Sequence, residues 1–361
     1  HLTLPAIAMS LAYLAFVSRM TRTSVRAEML SEHVETARTR GVPARHIVWR
    51  HVLRNALPQI LSVSGITVAG LLASTAVAEE AFGVSGVGSL LVEAAGWLTI
   101  AAGAWMTLLV LLAFVGPIIA PYDPAALDLY NVYSGPTVQH WLGTDESGRD
   151  VLSRLLTGIA PTLGGPLLVI VLATAVGTVL AVAAAWYGGL VDMLISRLLD
   201  ILFSFPGLLV AIVAVALFGP GFLAPVIALS VSFIPVVGRV VRTTAIRERS
   251  LPYIAALQVQ GASRWSICVR HIVPNLLPLI VVQATVGFSY ALLDLAAISY
   301  LGLGLQPPLT DWGLMIATGQ AAILAGHPQQ SLIAAMLVVI TVISMNLIGD
   351  ALSKRFEVDA A

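Results

Sequence analysis

The sequence has little charge, a single cysteine and a single lysine. Asp, Glu, Lys and Arg make up 11% of the 361 residues, whereas hydrophobic residues make up 58%, with a mean hydropathy of +0.92. A soluble domain of this length needs a more polar surface, so the composition indicates an integral membrane protein. Cys268 alone excludes an internal disulfide and a cysteine-based metal cluster. Lys354 precedes Arg355, so the chain lacks the Lys-Ser/Thr of a nucleotide-binding P-loop.

The sequence motifs of hydrolytic enzymes are also missing. None of the seven histidines forms an HExxH pair, and no Gly-x-Ser-x-Gly elbow occurs; Ser85 in GVSGVG is the nearest approach. An intramembrane protease is therefore the weaker alternative. We predict a protein that is not an enzyme, with no cofactor and no metal in this chain.

The positive charge is concentrated in two windows. Residues 19–54 hold eight arginines and residues 239–270 hold six, out of 19 Lys and Arg in total. A basic segment is also typical of nucleic-acid binding. Here both windows are flanked by membrane-length apolar stretches, so we predict no nucleic-acid partner. The positive-inside rule instead predicts that both windows face the cytoplasm.

Apolar stretches of about 20 residues are long enough to cross a bilayer. The candidate spans are 3–18, 57–77, 98–119, 163–186, 204–219, 222–238, 277–297 and 332–349. The polar, turn-rich segment 120–158 should lie outside the membrane, and 187–203 should form a short helix on the membrane surface. The apolar start at His1 precedes the basic residues, so we interpret it as part of a longer segment, not as a signal peptide.

The sidedness of these spans divides the chain into two modules. Residues 97–361 form a consistent unit of six predicted spans, with 298–331 outside. Residues 1–96 form a partial module, whose basic window places 78–97 outside. Span 98–119 would then have to run inward for the first module and outward for the second. A single helix cannot do both, so we expect that a span is missing near 96–98 or that the first module has lost its last helix.

One cationic segment occurs twice in the chain. GVPARHIVWRHVLRNALP begins at Gly41, and GASRWSICVRHIVPNLLP begins at Gly261, 220 positions later. The glycine permits a positive φ where two short helices meet, and the proline is suited to the first turn of the next helix. Ordinary basic loops beside the membrane are the alternative. The ungapped repeat from Arg19/Arg239 to Pro58/Pro278 argues against them and favours a short helix that docks in a groove of another protein.

These repeated residues resemble the "EAA" loop of permeases from binding-protein-dependent ABC importers. The residues that carry this resemblance, and the ATPase-coupling role it implies, are Glu35, Ala37, Gly41, Ile47, Arg50, His51, Asn55 and Pro58 in the first copy, and Ala256, Gly261, Ile267, Arg270, His271, Asn275 and Pro278 in the second. The second copy departs from the pattern at Ala255 and Gln258, where the family has Glu and Arg. The resemblance implies an all-α, polytopic transmembrane helical bundle of the type I importer kind, with cytoplasmic coupling helices.

The second module resembles one branch of this family in particular. Its segments APYDP, HWLGTDESGRDVLSRLLTG, YGGLVD, SFPGLL and YLGLGLQPPLTDWGLM are similar, in that order, to the permease C subunit of dipeptide, oligopeptide and nickel importers. EEAFGVSGVGSLLVEA in the first module resembles the end of the partner B subunit. The resemblance implies a B-type permease partner or its fused equivalent, two ATPase subunits that bind ATP-Mg, an extracytoplasmic binding protein and a location in the plasma (inner) membrane.

The outer segments 78–96 and 299–331 would form re-entrant gates, as the family implies. The candidate gate and pathway residues are Gly83, Gly86, Gly88, Asp294, Gly302, Gly304, Pro307, Pro308 and Trp312. Their glycines and prolines suit non-helical backbone, which is tolerated at membrane depth where it lines a cavity. A plain outer loop is the alternative, and Asp294 is as well suited to a helix-end contact as to a pathway.

The resulting functional hypothesis is the import of di- or oligopeptides. Import of nickel or another small solute is the alternative within the same branch. A non-transporting membrane scaffold that docks a cytoplasmic partner is the alternative from a different class.

Overall fold

A computed structural model describes residues 18, 21–23, 25–26, 28–29, 31–52, 55 and 87–358. The chain divides into two compact units, His1–Leu98 and Thr99–Ala361. The described residues form helices, and their one β-type pairing is an isolated bridge between Thr144 and Asp150. The expected all-α fold is confirmed for this part of the chain.

The helices are labelled here in chain order. They are α1 (Glu32–Thr39), α2 (Ala44–His46, followed by a π-helical turn at Ile47–Val52), α3 (Val87–Ile119), α4 (Val151–Tyr187), α5 (Gly189–Phe203), α6 (Gly207–Phe218), α7 (Leu223–Arg249), α8 (Pro252–Val259), α9 (Arg264–Ile267, followed by a π-helical turn at Cys268–Ile272), α10 (Val273–Tyr300), α11 (Trp312–Thr318), α12 (Gln320–Leu324) and α13 (Gln329–Val358).

Five of the described helices are long and apolar enough to cross a membrane. They cover Gly96–Ile119, Val151–Tyr187, Leu223–Arg249, Arg264–Tyr300 and Gln329–Phe356. The pair α5 and α6, bent by 78°, would make a sixth span if it crosses as one unit. The predicted spans 3–18 and 57–77 lie outside the described residues, apart from the helical Ser18.

Several predicted boundaries are corrected by the structure. Helix α4 begins at Val151 and not at residue 163, because Asp150 caps its first turn by accepting a hydrogen bond from the Ser153 N–H at 2.8 Å. Helix α3 begins at Val87, so residues 87–97 are helical and do not form the outer loop that the sequence predicts. This stretch contains no proline that would interrupt the helix. The predicted span 204–219 is the 12-residue helix α6, bounded by Pro206 and Gly219, and is too short to cross alone.

Helices α4 and α7 pack against each other in the centre of the second unit. A Cβ added to Gly177 of α4 would lie 3.2 Å from the backbone nitrogen of Gly238 in α7. Small residues at the crossing therefore let the two backbones approach closely, as is common between membrane helices. The main apolar core surrounds this pair and includes Leu229, Leu292 and Trp312.

Helix α5 is a separate helix, as the sequence predicts, and ion pairs attach it to α7. The guanidinium of Arg242 donates from Nε and Nη2 to the two carboxylate oxygens of Asp192 at 2.5 Å each. Arg239 donates to Asp200 at 2.7 Å and lies 4.2 Å from the ring centre of Phe203. The position of helix α5 on the membrane surface stays a prediction.

Candidate functional site

The second copy of the repeated segment, residues 248–275, forms a helix–turn–helix that we call the second docking loop. Helix α8 ends in a turn in which the Gly261 N–H donates to the Gln258 carbonyl at 3.1 Å and the Ala262 N–H to the Leu257 carbonyl at 3.0 Å. Gly261 has φ +80°, in the left-handed region where a side chain causes strain. Ser263 then caps α9 by accepting from the Ser266 N–H at 3.1 Å. The glycine thus sets the angle between the two short helices.

The second docking loop has a small apolar core of its own. Ile254, Ile267 and Ile272 are at most 1% exposed and pack with Val241 and Ala245 of α7. This packing anchors the loop to the end of a membrane helix. The same core includes Leu276 and Ile280, so the loop packs against the ends of both α7 and α10.

A hydrogen-bond network fixes the base of this loop. Asn275 Nδ2 donates to the Glu248 carboxylate at 2.7 Å and to the Tyr253 hydroxyl oxygen at 3.1 Å. The Tyr253 hydroxyl donates to the same carboxylate at 2.6 Å. Burial, together with the neighbouring Glu248 carboxylate, raises the pKa of Tyr253 to about 12. The network joins the end of α7 to the start of α10.

The first copy, residues 28–55, forms a loop with the same geometry, which we call the first docking loop. Gly41 has φ +75°, and its N–H donates to the Arg38 carbonyl at 3.0 Å. Val34, Ile47 and Val52 are at most 2% exposed and lie 220 positions before Ile254, Ile267 and Ile272. Asn55 Nδ2 donates to Glu28 at 3.1 Å, the counterpart of the bond from Asn275 to Glu248. The sequence repeat is thus a structural repeat.

Each docking loop exposes an aromatic side chain. Trp265 is 78% exposed on α9, and Trp49 is 70% exposed on the π-helical turn after α2. Exposed tryptophans flanked by arginines are typical anchors of protein interfaces. The two tryptophans occupy different positions in the two copies, so the sequence repeat does not point to them.

The predicted coupling residues of the second copy fall at different depths. Ile267 is buried, whereas Ala256 and Arg270 are exposed. His271 is half-buried, with its ring centre 6.5 Å from that of Tyr253. Pro278 lies inside α10, so the expectation that it begins the re-entering helix is wrong. The helix starts earlier because Pro274 already occupies its first turn.

The first copy is described in part. Ala37 and Ile47 are buried, and Gly41 and Asn55 are exposed. For the predicted coupling residues Glu35, Arg50 and His51, the structure describes only the helical backbone. Pro58 lies outside the described residues.

The outer segment after α10 is held close to that helix. A Cβ on Gly304 would lie 2.0 Å from Ser299 Oγ, and one on Gly313 would lie 2.6 Å from the Ala296 carbonyl oxygen. Asp311 caps α11 by accepting from the Leu314 N–H, and its other oxygen accepts from Ser299 Oγ, both at 2.8 Å. The backbone between Tyr300 and α11 is non-helical, with a cis bond between Pro307 and Pro308.

The other candidate gate residues divide into four groups. Trp312 is fully buried and its Nε1 donates to the Leu155 carbonyl at 3.2 Å, so it packs in the core. The Asp294 side chain is half-buried, and its carboxylate forms no hydrogen bond or ion pair with another described side chain. Gly88 is helical, contrary to the expected non-helical backbone. Gly83 and Gly86 lie outside the described residues.

A buried polar cluster braces the outer segment 120–150 against α4. Asp145 accepts from the N–H groups of Ser147 and Arg149 at 2.8 Å each and forms an ion pair with Arg154. His140 Nδ1 lies 2.9 Å from Asp150. The contacts of Arg154 and His140 attach this segment to the start of α4, which supports a folding role for the cluster. No group of three His, Cys, Asp or Glu in the described residues is placed to hold a metal ion.

Comparison with known proteins gives one family. The model of the "Binding-protein-dependent transport system inner membrane component" family matches residues 1–122 and 173–358. The chain is 35% identical over 256 residues to a glutathione transport system permease of Pectobacterium atrosepticum, covering 71% of this chain and 85% of that protein. It is 37% identical over 247 residues to a dipeptide transport system permease of Alkalihalophilus pseudofirmus, covering 68% and 81%.

Proposed function

The chain belongs to the family of binding-protein-dependent transport system inner membrane components, and we propose that it imports di- or oligopeptides as the permease subunit of an ABC transporter. It is a multi-pass inner membrane protein, as the family and the five or six apolar helices require. The peptide substrate is supported by the dipeptide and glutathione permeases to which it is similar.

The two docking loops are the observation that carries this proposal. Both present an exposed tryptophan on a short helical segment that is held by buried aliphatic residues and by an Asn–Glu hydrogen bond. In the second loop these contacts reach α7 and α10. Two such loops fit a pair of ATPase subunits, one loop to each. ATP-Mg would be bound by those subunits and not by this chain.

One continuous helical segment gives the coupling a physical route. Arg264–Tyr300 is 37 residues long, or about 55 Å at 1.5 Å per residue. It begins in the second docking loop and ends at the outer segment that Asp311 attaches to Ser299. A shift of the loop when the ATPase subunits close would therefore move the outer end of the same segment, as alternating access needs.

The test is reconstitution of the complete transporter. The chain, which carries both docking loops, is purified with both ATPase subunits, placed in vesicles, and supplied with its binding protein, a labelled dipeptide and ATP. We expect peptide accumulation and an ATP turnover that rises with the binding protein. Uptake of Ni²⁺ but not of peptide would favour the nickel alternative, and ATP turnover indifferent to both would favour the scaffold.

A matched pair of variants tests the docking role. Trp265→Ser removes the exposed anchor and should weaken ATPase binding at least 30-fold, the effect of losing an interface residue worth about 2 kcal/mol. Trp141→Ser is the control, since Trp141 is 68% exposed on the outer segment. Equal ATPase retention by the wild-type protein and Trp265→Ser would refute the docking role.

A further inference from the structure

An open apolar groove runs along the second unit between α4 and the segment formed by α9 and α10. Its volume is about 510 Å³. The side chains that make it apolar are Val179, Val182, Val269, Val273, Leu277 and Ile280. An aliphatic chain is the chemical complement of such a surface.

The groove opens at one end into a basic cavity. This cavity has a volume of about 430 Å³ and is lined by Arg249, Arg264 and Gln258, and it shares Trp186 and Tyr187 with the groove. In the described part of the chain, neither arginine forms an ion pair with a carboxylate. The mouth of the groove therefore carries two positive charges that no described acidic side chain neutralises.

Arg249 is held in position by its surroundings. Its Nη1 donates to the Ala185 carbonyl at 2.7 Å, and its guanidinium lies 5.6 Å from the ring centre of Trp186. These contacts use one face and one donor of the guanidinium, which has five N–H donors in total. No acceptor among the described residues contacts the remaining donors, which can therefore bind the oxygens of an anion.

The dimensions match one leaflet of a membrane. The groove extends along α4 from Thr174 to Tyr187, about 20 Å at 1.5 Å per residue, compared with roughly 15 Å for half of the hydrocarbon core. Tyr187 lines the mouth and is 61% exposed. Tyrosine concentrates at the level of lipid headgroups, so this residue places the mouth at the membrane surface from which the second docking loop projects.

We propose that this groove binds an anionic phospholipid of the cytoplasmic leaflet. Its phosphate would lie between Arg249 and Arg264, and an acyl chain would fill the groove between α4 and α10. Basic pockets between membrane helices on the cytoplasmic side are suited to such headgroups. A helix of a partner permease would fill the apolar part but would leave the two arginines without a counter-charge. The lipid accounts for both parts of the site.

The experiment uses the complete transporter in detergent, titrated with dioleoyl phosphatidylglycerol or dioleoyl phosphatidylcholine and followed by native mass spectrometry. The test variant is Arg249→Gln combined with Arg264→Gln. Arg247→Gln is the control, because Arg247 is an exposed arginine of α7 that does not line the site. Ala183→Phe narrows the groove without changing its charge.

We expect phosphatidylglycerol to bind more tightly than phosphatidylcholine. The double variant should weaken phosphatidylglycerol binding about 30-fold, or about 2 kcal/mol, since each basic residue near an anionic surface contributes about 1 kcal/mol. Ala183→Phe should also weaken it, and Arg247→Gln should not.

Three results would overturn the proposal. Equal affinity for the two lipids would mean that the arginines do not recognise the headgroup charge. If Arg247→Gln weakened phosphatidylglycerol binding as much as the double variant does, the effect would come from general surface charge. If excess inorganic phosphate displaces phosphatidylglycerol and Ala183→Phe does not weaken phosphatidylglycerol binding, the site binds a free anion and not a lipid. Lipid binding is measured directly and not through transport. A failure to bind lipid would therefore refute this proposal without refuting peptide import, which the vesicle experiment tests.

Discussion

Removal of Arg154, in the first turn of α4, should strongly destabilise the second unit. The side chains of Arg154 and Asp145 are 2% and 0% exposed, and they form a buried ion pair. Loss of one partner from such a pair costs about 3–5 kcal/mol, because a charge stays buried without its counter-charge. In Arg154→Met, two backbone N–H donors still contact Asp145, and Arg149 Nη1 remains at 4.0 Å. We therefore expect the lower limit, about 3 kcal/mol.

The apparent unfolding temperature measures this loss. For a domain of this size, 1 kcal/mol corresponds to about 2–4 °C, so Arg154→Met should lower the midpoint by about 6 °C or more. The midpoint is followed as the loss of the monodisperse chromatographic peak of a fluorescently tagged protein after heating in detergent. Arg197→Met is the control, since Arg197 is exposed and forms no ion pair in the described residues; it should change the midpoint by about 1 °C at most.

A double variant separates the ion pair from its surroundings. Asp145→Asn with Arg154→Met removes both charges, so its loss should be smaller than the sum of the two single losses. A midpoint of Arg154→Met within about 2 °C of the wild-type value would refute the reasoning. Strict additivity of the two single changes would refute it as well, because it would mean that the two charges do not interact.

Three further changes test other parts of the structure. Gly261→Val should lower the free energy of unfolding by at least about 1–2 kcal/mol because φ is +80°. The space around the added Cβ is open, so this cost comes from the backbone and not from a clash. Gly261→Asn should cost less, and equal unfolding midpoints for the two variants would contradict the backbone argument. Trp312→Ala should cost about 3–5 kcal/mol because the fully buried indole leaves a cavity, a loss measured by the same thermal assay and partly restored in Trp312→Phe. Burial raises the pKa of Glu146, so the wild-type protein gains stability as the pH falls through that raised pKa. At pH 7 the Glu146→Gln variant should therefore be more stable than the wild-type protein. This difference in stability should disappear below pH 4, where the wild-type carboxyl is also neutral.

The docking loops show how far the sequence pattern reaches. Gly41 and Gly261 were selected as positions of positive φ, and both have it. Asn55 and Asn275 are among the repeated residues that the sequence points to, whereas their partners Glu28 and Glu248 become evident only from the hydrogen bonds of the structure. The loops are local structures of fewer than 30 residues, so capping, turn chemistry and short apolar patterns already define much of their conformation.

The corrected boundaries show where the same reasoning fails. Hydropathy averages over a window, so it placed the start of α4 at residue 163, after the polar stretch that contains Arg154. The helix includes that stretch because Asp145 neutralises Arg154 inside the fold. The proline at the end of the second repeated segment misled in a similar way, because Pro278 lies inside α10 and not at its start.

The sequence by itself determined the membrane location, the helical class and the existence of two equivalent docking loops. Each of these follows from properties that adjacent residues share, namely their hydropathy, their charge and their turn propensity. Only the tertiary structure decided that Trp312 is core, that Asp192 and Asp200 attach α5 to α7, and that Arg249 and Arg264 face one groove. These depend on contacts between residues distant in the chain, and a sequence pattern contains no information on which distant side chains will share a buried or a basic site.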